Sequence, residues 1–287
     1  MPRASIDIGS NSLLLLVVDD EGKTIHDEAR VVGLGRGLGH HGIFKKDRMT
    51  AAAEVLQAMS ETAQSLGVNP ADIRAVATSA ARRAMNAESF FGQVQSDTGI
   101  QVQIISGVRE AQLTWHGAMV GLPVGSEPVA VIDLGGGSTE VVIGTPGDGP
   151  SQPPVSLEIG SVRLTETHFG PDPDRYHPAN LAKLRAEVRE IVGQLNWRTL
   201  PKSLIAVAGT ATTLCAMEIG LTEWNASKVH GSRLGRAALR RWIDRLLTSS
   251  PAQRAEWAAV SPERAPYLLA GACVLEGICS AAHRDSL

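Results

Sequence analysis

The chain has few aromatic residues and little net charge, and both shortages exclude classes of function. Its 287 residues include 5 Trp, 2 Tyr and 4 Phe, which is 4% aromatic. Single-strand nucleic-acid binders use aromatic surfaces for stacking bases, and nucleic-acid binders in general carry a clearly basic surface. With a formal net charge of −3, this chain has neither feature. We therefore expect no nucleic-acid partner.

Cysteine and long apolar runs are also scarce. The three cysteines, Cys215, Cys273 and Cys279, lie in apolar segments without metal-ligand spacing, which indicates core thiols in a reducing cytoplasm. No apolar run approaches the roughly 18 residues of a membrane span, and the N-terminus enters a strand pattern without a basic and apolar leader. The sequence predicts a cytoplasmic protein with no membrane partner.

What the chain does have is ample apolar content and glycine. Hydrophobic residues make up 43%, enough for sizeable cores, and the length favours two domains. Segments with strand and helix patterns alternate, which predicts an α/β class. The stretch GLPVGSEP indicates a boundary, so we predict domains over residues 1–124 and 125–287.

One segment occurs twice. IDIGSNS (residues 6–12) aligns with IDLGGGS (residues 132–138), and in both copies a strand runs into Asp-x-Gly, a turn of small residues and a second apolar strand. Two copies of one hairpin, each opening a domain, suggest a duplicated fold with a cleft between its halves. The glycine-rich run at residues 33–39 does not match G-x-G-x-x-G before a helix, so we interpret it as a flexible hairpin loop.

These turns suit phosphate chemistry. Without bulky side chains, backbone N–H groups can approach an anion and the hydroxyl groups add donors. The aspartates before the turns, Asp7 and Asp133, cannot bind phosphate themselves but can hold Mg²⁺, which takes one or two carboxylates together with phosphate oxygens. A third turn of small residues follows the strand at residues 203–207. There Gly209 and Thr210 open a helix whose N-terminal N–H groups favour an anion.

Six segments carry a resemblance to a known family. They are IDIGSNS (from Ile6), ATSAARRAMNA (from Ala77), ISGVREA (from Ile105), VIDLGGGSTE (from Val131), EIGSVRLTE (from Glu158) and VAGTATTL (from Val207). In this order they resemble the exopolyphosphatase / guanosine pentaphosphate phosphohydrolase family of the actin, sugar-kinase and heat-shock-chaperone superfamily. The resemblance implies two actin-like (ribonuclease H-like) α/β domains with an interdomain active-site cleft.

The resemblance also implies residue roles. Phosphate binding falls to Gly9, Ser10, Asn11, Ser12, Gly135, Gly136, Gly137, Ser138 and Thr139, joined by Gly209 and Thr210. Arg82 matches an arginine that reaches the phosphate chain, and Glu110 matches the proposed catalytic base. Asp133 is the third residue with an implied catalytic role. It would bind a Mg²⁺ ion together with Asp7 and Glu140.

The chain departs from the family pattern in two places. Val108 and Arg109 stand where the family often has glutamates before the base. The chain also ends at Leu287, where family members usually continue into another strand, so it is either shortened or closes its second domain differently.

The expected function is a Mg²⁺-dependent exopolyphosphatase that releases orthophosphate from linear polyphosphate. The alternatives are guanosine pentaphosphate hydrolysis, a kinase of the superfamily and a nucleotide-gated scaffold. A homodimer is expected from the resemblance alone.

Overall fold

The computed structural model describes residues 1–122, 125–171, 173–197 and 200–287. By their contacts these residues form two compact units, Met1–Ser106 and Gly107–Leu287. The boundary that the sequence predicts falls at residue 124, which lies outside the described residues. The helix Gly107–Ala118, which the sequence assigns to the first domain, belongs by contacts to the second unit.

The first unit is a five-stranded sheet with helices. Its strands are β1 (Arg3–Ile8), β2 (Ser12–Val18), β3 (Thr24–Val31), β4 (Arg74–Ala77) and β5 (Val102–Ile104), in the order β3-β2-β1-β4-β5. The β1–β2 and β2–β3 pairs are antiparallel, whereas β1–β4 and β4–β5 are parallel. Its helices are α1 (Leu38–His41), α2 (Lys46–Ser65), α3 (Ser79–Arg83) and α4 (Ala87–Thr98), with a 3₁₀ turn at Pro70–Asp72.

Alternation of buried and exposed residues explains the sheet of the first unit. Along β2, Leu13, Leu15 and Val17 are fully buried while Leu14 and Leu16 remain exposed. This period of two is typical of an antiparallel strand with one packed face. Helices α2 and α4 pack on each other over the buried face.

The second unit is built on a sheet of β10-β6-β7-β8, with β9 also pairing with β7. Its strands are β6 (Val129–Leu134), β7 (Thr139–Thr145), β8 (Gly149–Pro150), β9 (Val155–Leu157) and β10 (Ser203–Val207). Its helices are α5 (Gly107–Ala118), α6 (Ser161–Phe169), α7 (Pro178–Gly193), α8 (Gly209–Glu218), α9 (Ala226–Val229), α10 (Arg236–Thr248), α11 (Pro251–Ala255) and α12 (Leu268–Ala281).

Strand β6 is covered on both faces, which its unbroken apolar sequence predicts. Val129 and Val131 pack with Trp115 of α5, whereas Ala130 and Ile132 belong to the larger core around α12. Helix α12 contacts α6, α7, α8 and α10. Within the described ranges, no helix is long and apolar enough to cross a membrane.

The strand at residues 203–207 lies where the sequence predicts it, but one segment with a helical pattern is interrupted. The pattern over residues 80–97 predicts a mostly helical segment, and the structure has two helices, α3 and α4, with residues 84–86 between them. The Asn86 side chain accepts a hydrogen bond from the Phe44 N–H (2.8 Å) and donates one to the Phe44 carbonyl (3.1 Å). Because these bonds are to a residue distant in sequence, local periodicity does not predict the break.

The two hairpins with the repeated sequence have the same geometry. In the first turn (residues 9–12) the Gly9 N–H donates to the Ser12 carbonyl at 3.0 Å. In the second turn (residues 135–138) the Gly135 N–H donates to the Ser138 carbonyl at 3.1 Å. The repeat in the sequence is therefore also a repeat in the backbone.

The first turn is held from outside by the glycine-rich run at residues 33–39. The N–H groups of Gly33 and Gly35 donate to the carbonyls of Asn11 and Ser10, both at 2.8 Å. A Cβ on Gly35 would lie 3.1 Å from the Ser10 Cβ and 3.2 Å from the Ala80 Cβ. The run is thus a packed support for the turn, where the sequence suggests a flexible loop.

The second turn is held by the N-terminus of α6. The N–H groups of Val162 and Arg163 donate to the Gly136 carbonyl at 2.9 and 3.0 Å, and the Ser161 N–H donates to the Gly135 carbonyl at 3.0 Å. A Cβ on Gly160 would lie 2.5 Å from the Gly136 carbonyl carbon. Only glycine at residue 160 allows the backbones to approach this closely.

We predict that Gly160→Ala lowers the free energy of unfolding by about 1–3 kcal/mol, because the added methyl group displaces the second turn. The control is Gly92→Ala, at an exposed position of α4 where an added Cβ meets no atom within 4 Å. Replacing such a helical glycine stabilises by about 0.5–1 kcal/mol. Urea unfolding measures both, and an unchanged midpoint for Gly160→Ala would contradict the prediction.

Candidate functional site

Parallel pairing brings the second and third turns to the same edge of the second unit's sheet. Strands β6 and β10 are parallel, with Asp133 opposite Val207. The second turn follows β6 and the third turn (residues 208–210) follows β10. Helix α8 begins in the third turn at Gly209, so its free N–H groups lie at this edge. Both turns therefore offer backbone donors on one side of the sheet.

The third turn has a strained backbone. Ala208 has φ 71° and ψ 173°, a conformation that is essentially restricted to glycine. Such a conformation costs about 1–3 kcal/mol and is concentrated at ligand-binding sites. The strain at Ala208 is consistent with a turn whose shape is selected for binding.

Arg264 is a candidate site residue that the sequence analysis missed. Its guanidinium occupies the space beside Gly209, where any Cβ would collide with it. Burial is the main cause that lowers the Arg264 pKa from its ordinary value, and the charge of Glu263 opposes it. Arginine nevertheless stays protonated in proteins, so the Arg264 guanidinium places a positive charge at the start of α8. The residues are far apart in sequence, and no local pattern connects them.

The side chain of Thr210 is used for packing rather than directed at the third turn's surface. The residue is buried, and a Cβ added to Gly271 of α12 would collide with the Thr210 side chain. The side chain therefore packs against α12, and the backbone N–H remains as the group that Thr210 offers to an anion.

Two carboxylates face each other across the β6–β7 hairpin. Asp133 lies directly opposite Glu140 in the antiparallel register, and like charges at such positions are destabilising. Neighbouring elements supply hydrogen bonds to both. The Thr114 hydroxyl of α5 donates to Asp133 Oδ2 at 2.9 Å, and the Ser156 hydroxyl of β9 donates to Glu140 Oε1 at 2.7 Å.

The pKa values of this pair are raised. Burial, followed by repulsion from Glu110, raises the Glu140 pKa to about 8, with Asp133 adding to the effect and the Ser156 bond opposing it. Burial raises the Asp133 pKa, and the bond from Thr114 partly offsets the effect. Glu110, in the first turn of α5, thus acts electrostatically on Glu140. Clustered carboxylates with raised pKa values are typical of functional sites.

These carboxylates fit a magnesium ion. Among the described residues, no three His, Cys, Asp or Glu side chains form a ready metal cluster. Mg²⁺ does not need one, because it keeps several waters and binds through one or two carboxylates plus phosphate oxygens. Asp133 and Glu140 supply two carboxylates, and the hydrogen bonds that hold them come from neutral hydroxyl groups. A bound cation would relieve the repulsion that Glu110 and Asp133 exert on Glu140.

The first unit holds the remaining predicted residues. Ile8 of β1 is paired in parallel with Ala77 of β4, so α3 begins beside the first turn. From α3, Arg82 donates through Nη1 to the Ile105 carbonyl at 3.0 Å. Among the described side chains, Asn11 Oδ1 is buried without a hydrogen-bond partner, an acceptor that bound water or a cation would satisfy. Asp7 lies opposite Leu14, so it has no cross-strand carboxylate.

The structure therefore distributes the predicted residues over two local sites. The second unit contains Glu110, Asp133, Gly135, Gly136, Gly137, Ser138, Thr139, Glu140, Gly209 and Thr210. The first unit contains Asp7, Gly9, Ser10, Asn11, Ser12 and Arg82.

Comparisons with known proteins identify the family and the fold. Residues 16–287 match the Ppx/GppA phosphatase family. The chain is 36% identical over 290 residues to Exopolyphosphatase 2 of Mycobacterium tuberculosis H37Rv, covering 95% of this chain and 88% of the relative.

Solved structures give the same answer for the fold. An exopolyphosphatase-like protein superposes with a TM-score of 0.90 at 30% identity, covering 100% of this chain and 94% of that one. The Aquifex aeolicus Ppx/GppA family member superposes with a TM-score of 0.80 at 29% identity, covering 100% and 92%. The predicted α/β class with two actin-like domains is confirmed. With its sequence matched over nearly its full length, the chain belongs to the Ppx/GppA phosphatase family.

Proposed function

We propose that the protein is an exopolyphosphatase that removes the terminal phosphate of linear polyphosphate and releases orthophosphate. The observation that carries the proposal is the second unit's combination of a small-residue turn at residues 135–138 with the carboxylates of Glu110, Asp133 and Glu140. Donors for an anion and ligands for a cation then lie on one hairpin. The name of the M. tuberculosis relative supports the same substrate.

Binding would rest on backbone donors and arginines. The N–H groups of the second and third turns would hold phosphate oxygens, with the Arg264 guanidinium beside Gly209. In the first unit, the first turn and Arg82 would bind phosphate in the same way. Arg82 keeps one N–H on the Ile105 carbonyl, which orients its guanidinium.

Glu110 would act as the general base. Its carboxylate interacts with Glu140, is half-buried, and lies in the first turn of α5, where it can reach solvent and the carboxylate pair. It would orient the attacking water and accept its proton. Asp133 and Glu140 would hold Mg²⁺, which neutralises charge on the phosphate oxygens, and Asp7 of the first unit stays a predicted metal ligand. Positioning and charge neutralisation supply most of the acceleration in such reactions.

We predict that Glu110→Gln lowers turnover by about 10²- to 10⁴-fold, because the amide cannot accept the proton. Binding of polyphosphate should be retained, since the turns are unchanged. Glu54→Gln, at an exposed position of α2, is the control and should keep the wild-type rate. Retention of most activity by Glu110→Gln would remove the residue from the mechanism.

We predict that Asp133→Asn raises the Mg²⁺ concentration needed for half-maximal rate. The rise should be at least the roughly tenfold that losing a supporting partner of a metal ligand costs. The Mg²⁺-induced increase in thermal midpoint should shrink in parallel, which gives a readout independent of turnover. Asp148→Asn, at an exposed position between β7 and β8, is the control. An unchanged Mg²⁺ dependence would leave Asp133 with a structural role.

Guanosine pentaphosphate is the second candidate substrate, because it presents the same phosphoanhydride chemistry. A guanine base needs a flat apolar surface, and several aromatic side chains are used elsewhere. Phe44, Phe90 and Phe91 pack together in the first core, and Trp242 packs against Trp257. The small side chains of the turns favour a phosphate chain over a purine.

We predict higher kcat/KM for linear polyphosphate than for guanosine pentaphosphate, with phosphate release measured for both at one ionic strength. The comparison should include long and short polyphosphate chains, and both rates should fall as salt screens the phosphate contacts. Equal or greater efficiency on guanosine pentaphosphate would reverse the assignment.

We further propose that the protein is cytoplasmic and forms a homodimer. Three buried free thiols fit a reducing cytoplasm. A homodimer is proposed by analogy with the family, and light scattering after size exclusion measures it directly.

A further inference from the structure

The second unit also has a cavity among helices that carry none of the three turns. Helices α7, α10 and α12 line a cavity of about 440 Å³. This volume is within the range of small-molecule sites. A Cβ on Gly277 of α12 would lie 2.7 Å from Val188 Cγ1 of α7, so glycine permits the close helix contact beneath the cavity.

The cavity is strongly basic. Its lining includes four arginines and one glutamate, which leaves a net charge of +3 before any contribution from His283. The charged residues are Arg185, Arg189, Arg236, Arg240 and Glu276. The chain as a whole has a net charge of −3, so the sign of the charge at this cavity is opposite to that of the whole protein.

Glu276 organises three of the arginines. Its Oε1 accepts hydrogen bonds from Arg236 Nε (3.1 Å) and Arg240 Nε (3.0 Å), and its Oε2 accepts one from an Arg185 Nη (3.3 Å). The Glu276 side chain is 8% exposed, so the carboxylate is a buried anchor. Each guanidinium has five N–H donors, and most of them are not used by Glu276.

The arginines are more numerous than the anchor requires. One carboxylate neutralises one of them. Arg189, which is exposed, forms no ion pair or side-chain hydrogen bond with the described residues. Like charges held around one cavity repel each other, and this repulsion is relieved when a multiply charged anion enters. Planar guanidinium groups bind phosphate through paired hydrogen bonds.

We propose that this cavity is a second binding site for a phosphoryl anion, separate from the phosphate-binding turns. Orthophosphate and the interior of a linear phosphate chain present the same oxygens and are the two sources. Arg189 and Arg240 would supply the donors nearest solvent, with Arg236 and Arg185 held in place by Glu276. The site stands whether or not the proposed hydrolysis is correct, because no residue of the turns takes part.

The test is isothermal titration calorimetry of the whole protein with orthophosphate and, separately, with tripolyphosphate, in EDTA to prevent turnover. The variant Arg189→Ala/Arg240→Gln removes two charges but keeps the pairs of Glu276 with Arg236 and Arg185. The control is Lys183→Ala/Arg241→Gln, which removes the same charge from exposed positions of the same two helices outside the cavity.

We expect the cavity variant to weaken one binding component by about tenfold or more, because each charge-assisted hydrogen bond contributes about that factor. The control should bind as the wild type does. Weakening with both probes identifies a site for the phosphate group itself, and weakening with tripolyphosphate alone identifies a site for the chain. Unchanged binding of both probes overturns the proposal.

A gain of affinity gives a second, independent measurement. Glu276→Gln removes the negative charge while keeping one acceptor oxygen for the arginines. The proposal expects tighter anion binding, more sensitive to salt than that of the wild type. If Glu276→Gln unfolds, the exposed double variant still decides the question.

Discussion

The arrangement of the second unit depends on one unfavourable interaction, the facing carboxylates of Asp133 and Glu140. Two adjacent carboxylates can remain in such a place only where hydrogen bonds, a proton on one of them or a cation offset their repulsion. Thr114 from α5 and Ser156 from β9 supply those bonds, so both elements must pack against the hairpin. Helix α5 also packs on the sheet through Trp115, which lies against Val129 and Val131, so the bond from Thr114 accompanies apolar packing. The carboxylates are therefore held by elements that the apolar core also fixes in place.

The two repeated hairpins share one backbone geometry but differ in the residue opposite the aspartate. Both turns close with the same Gly N–H to Ser carbonyl hydrogen bond, and both follow an aspartate by one intervening residue. At the position opposite the aspartate, the first hairpin has Leu14 and the second has Glu140. A single difference in residue type thus concentrates the paired carboxylates in the second unit, while both copies keep a turn of small residues with the same closing hydrogen bond.

The sequence predicts those features that are local. Turn residues, strand alternation and the repeat require only neighbours along the chain, and the structure has β10 at Ser203–Val207, the range the sequence predicts. Features made by distant residues were not predictable. Asn86 divides a helix through bonds to Phe44, Gly160 contacts Gly136, and Arg264 covers Gly209. In each case the sequence shows a glycine or a polar residue, but its partner is set by tertiary packing. The roles of Glu110 and Arg82 stay predictions.

Two opposite electrostatic conditions coexist in the second unit. Carboxylates repel one another near Glu140, and arginines outnumber carboxylates around Glu276. Around Glu140, burial and repulsion from Glu110 and Asp133 raise the pKa to about 8, and a bound cation would lower it. Around Glu276, burial acts to raise the pKa but the bonds from Arg236 and Arg240 and the charge of Arg185 outweigh it, so the pKa is lowered. Glu276 thus stays ionised and is still outnumbered by arginines. The first condition favours a cation and the second an anion, and a protein that binds Mg²⁺ together with phosphate would use both.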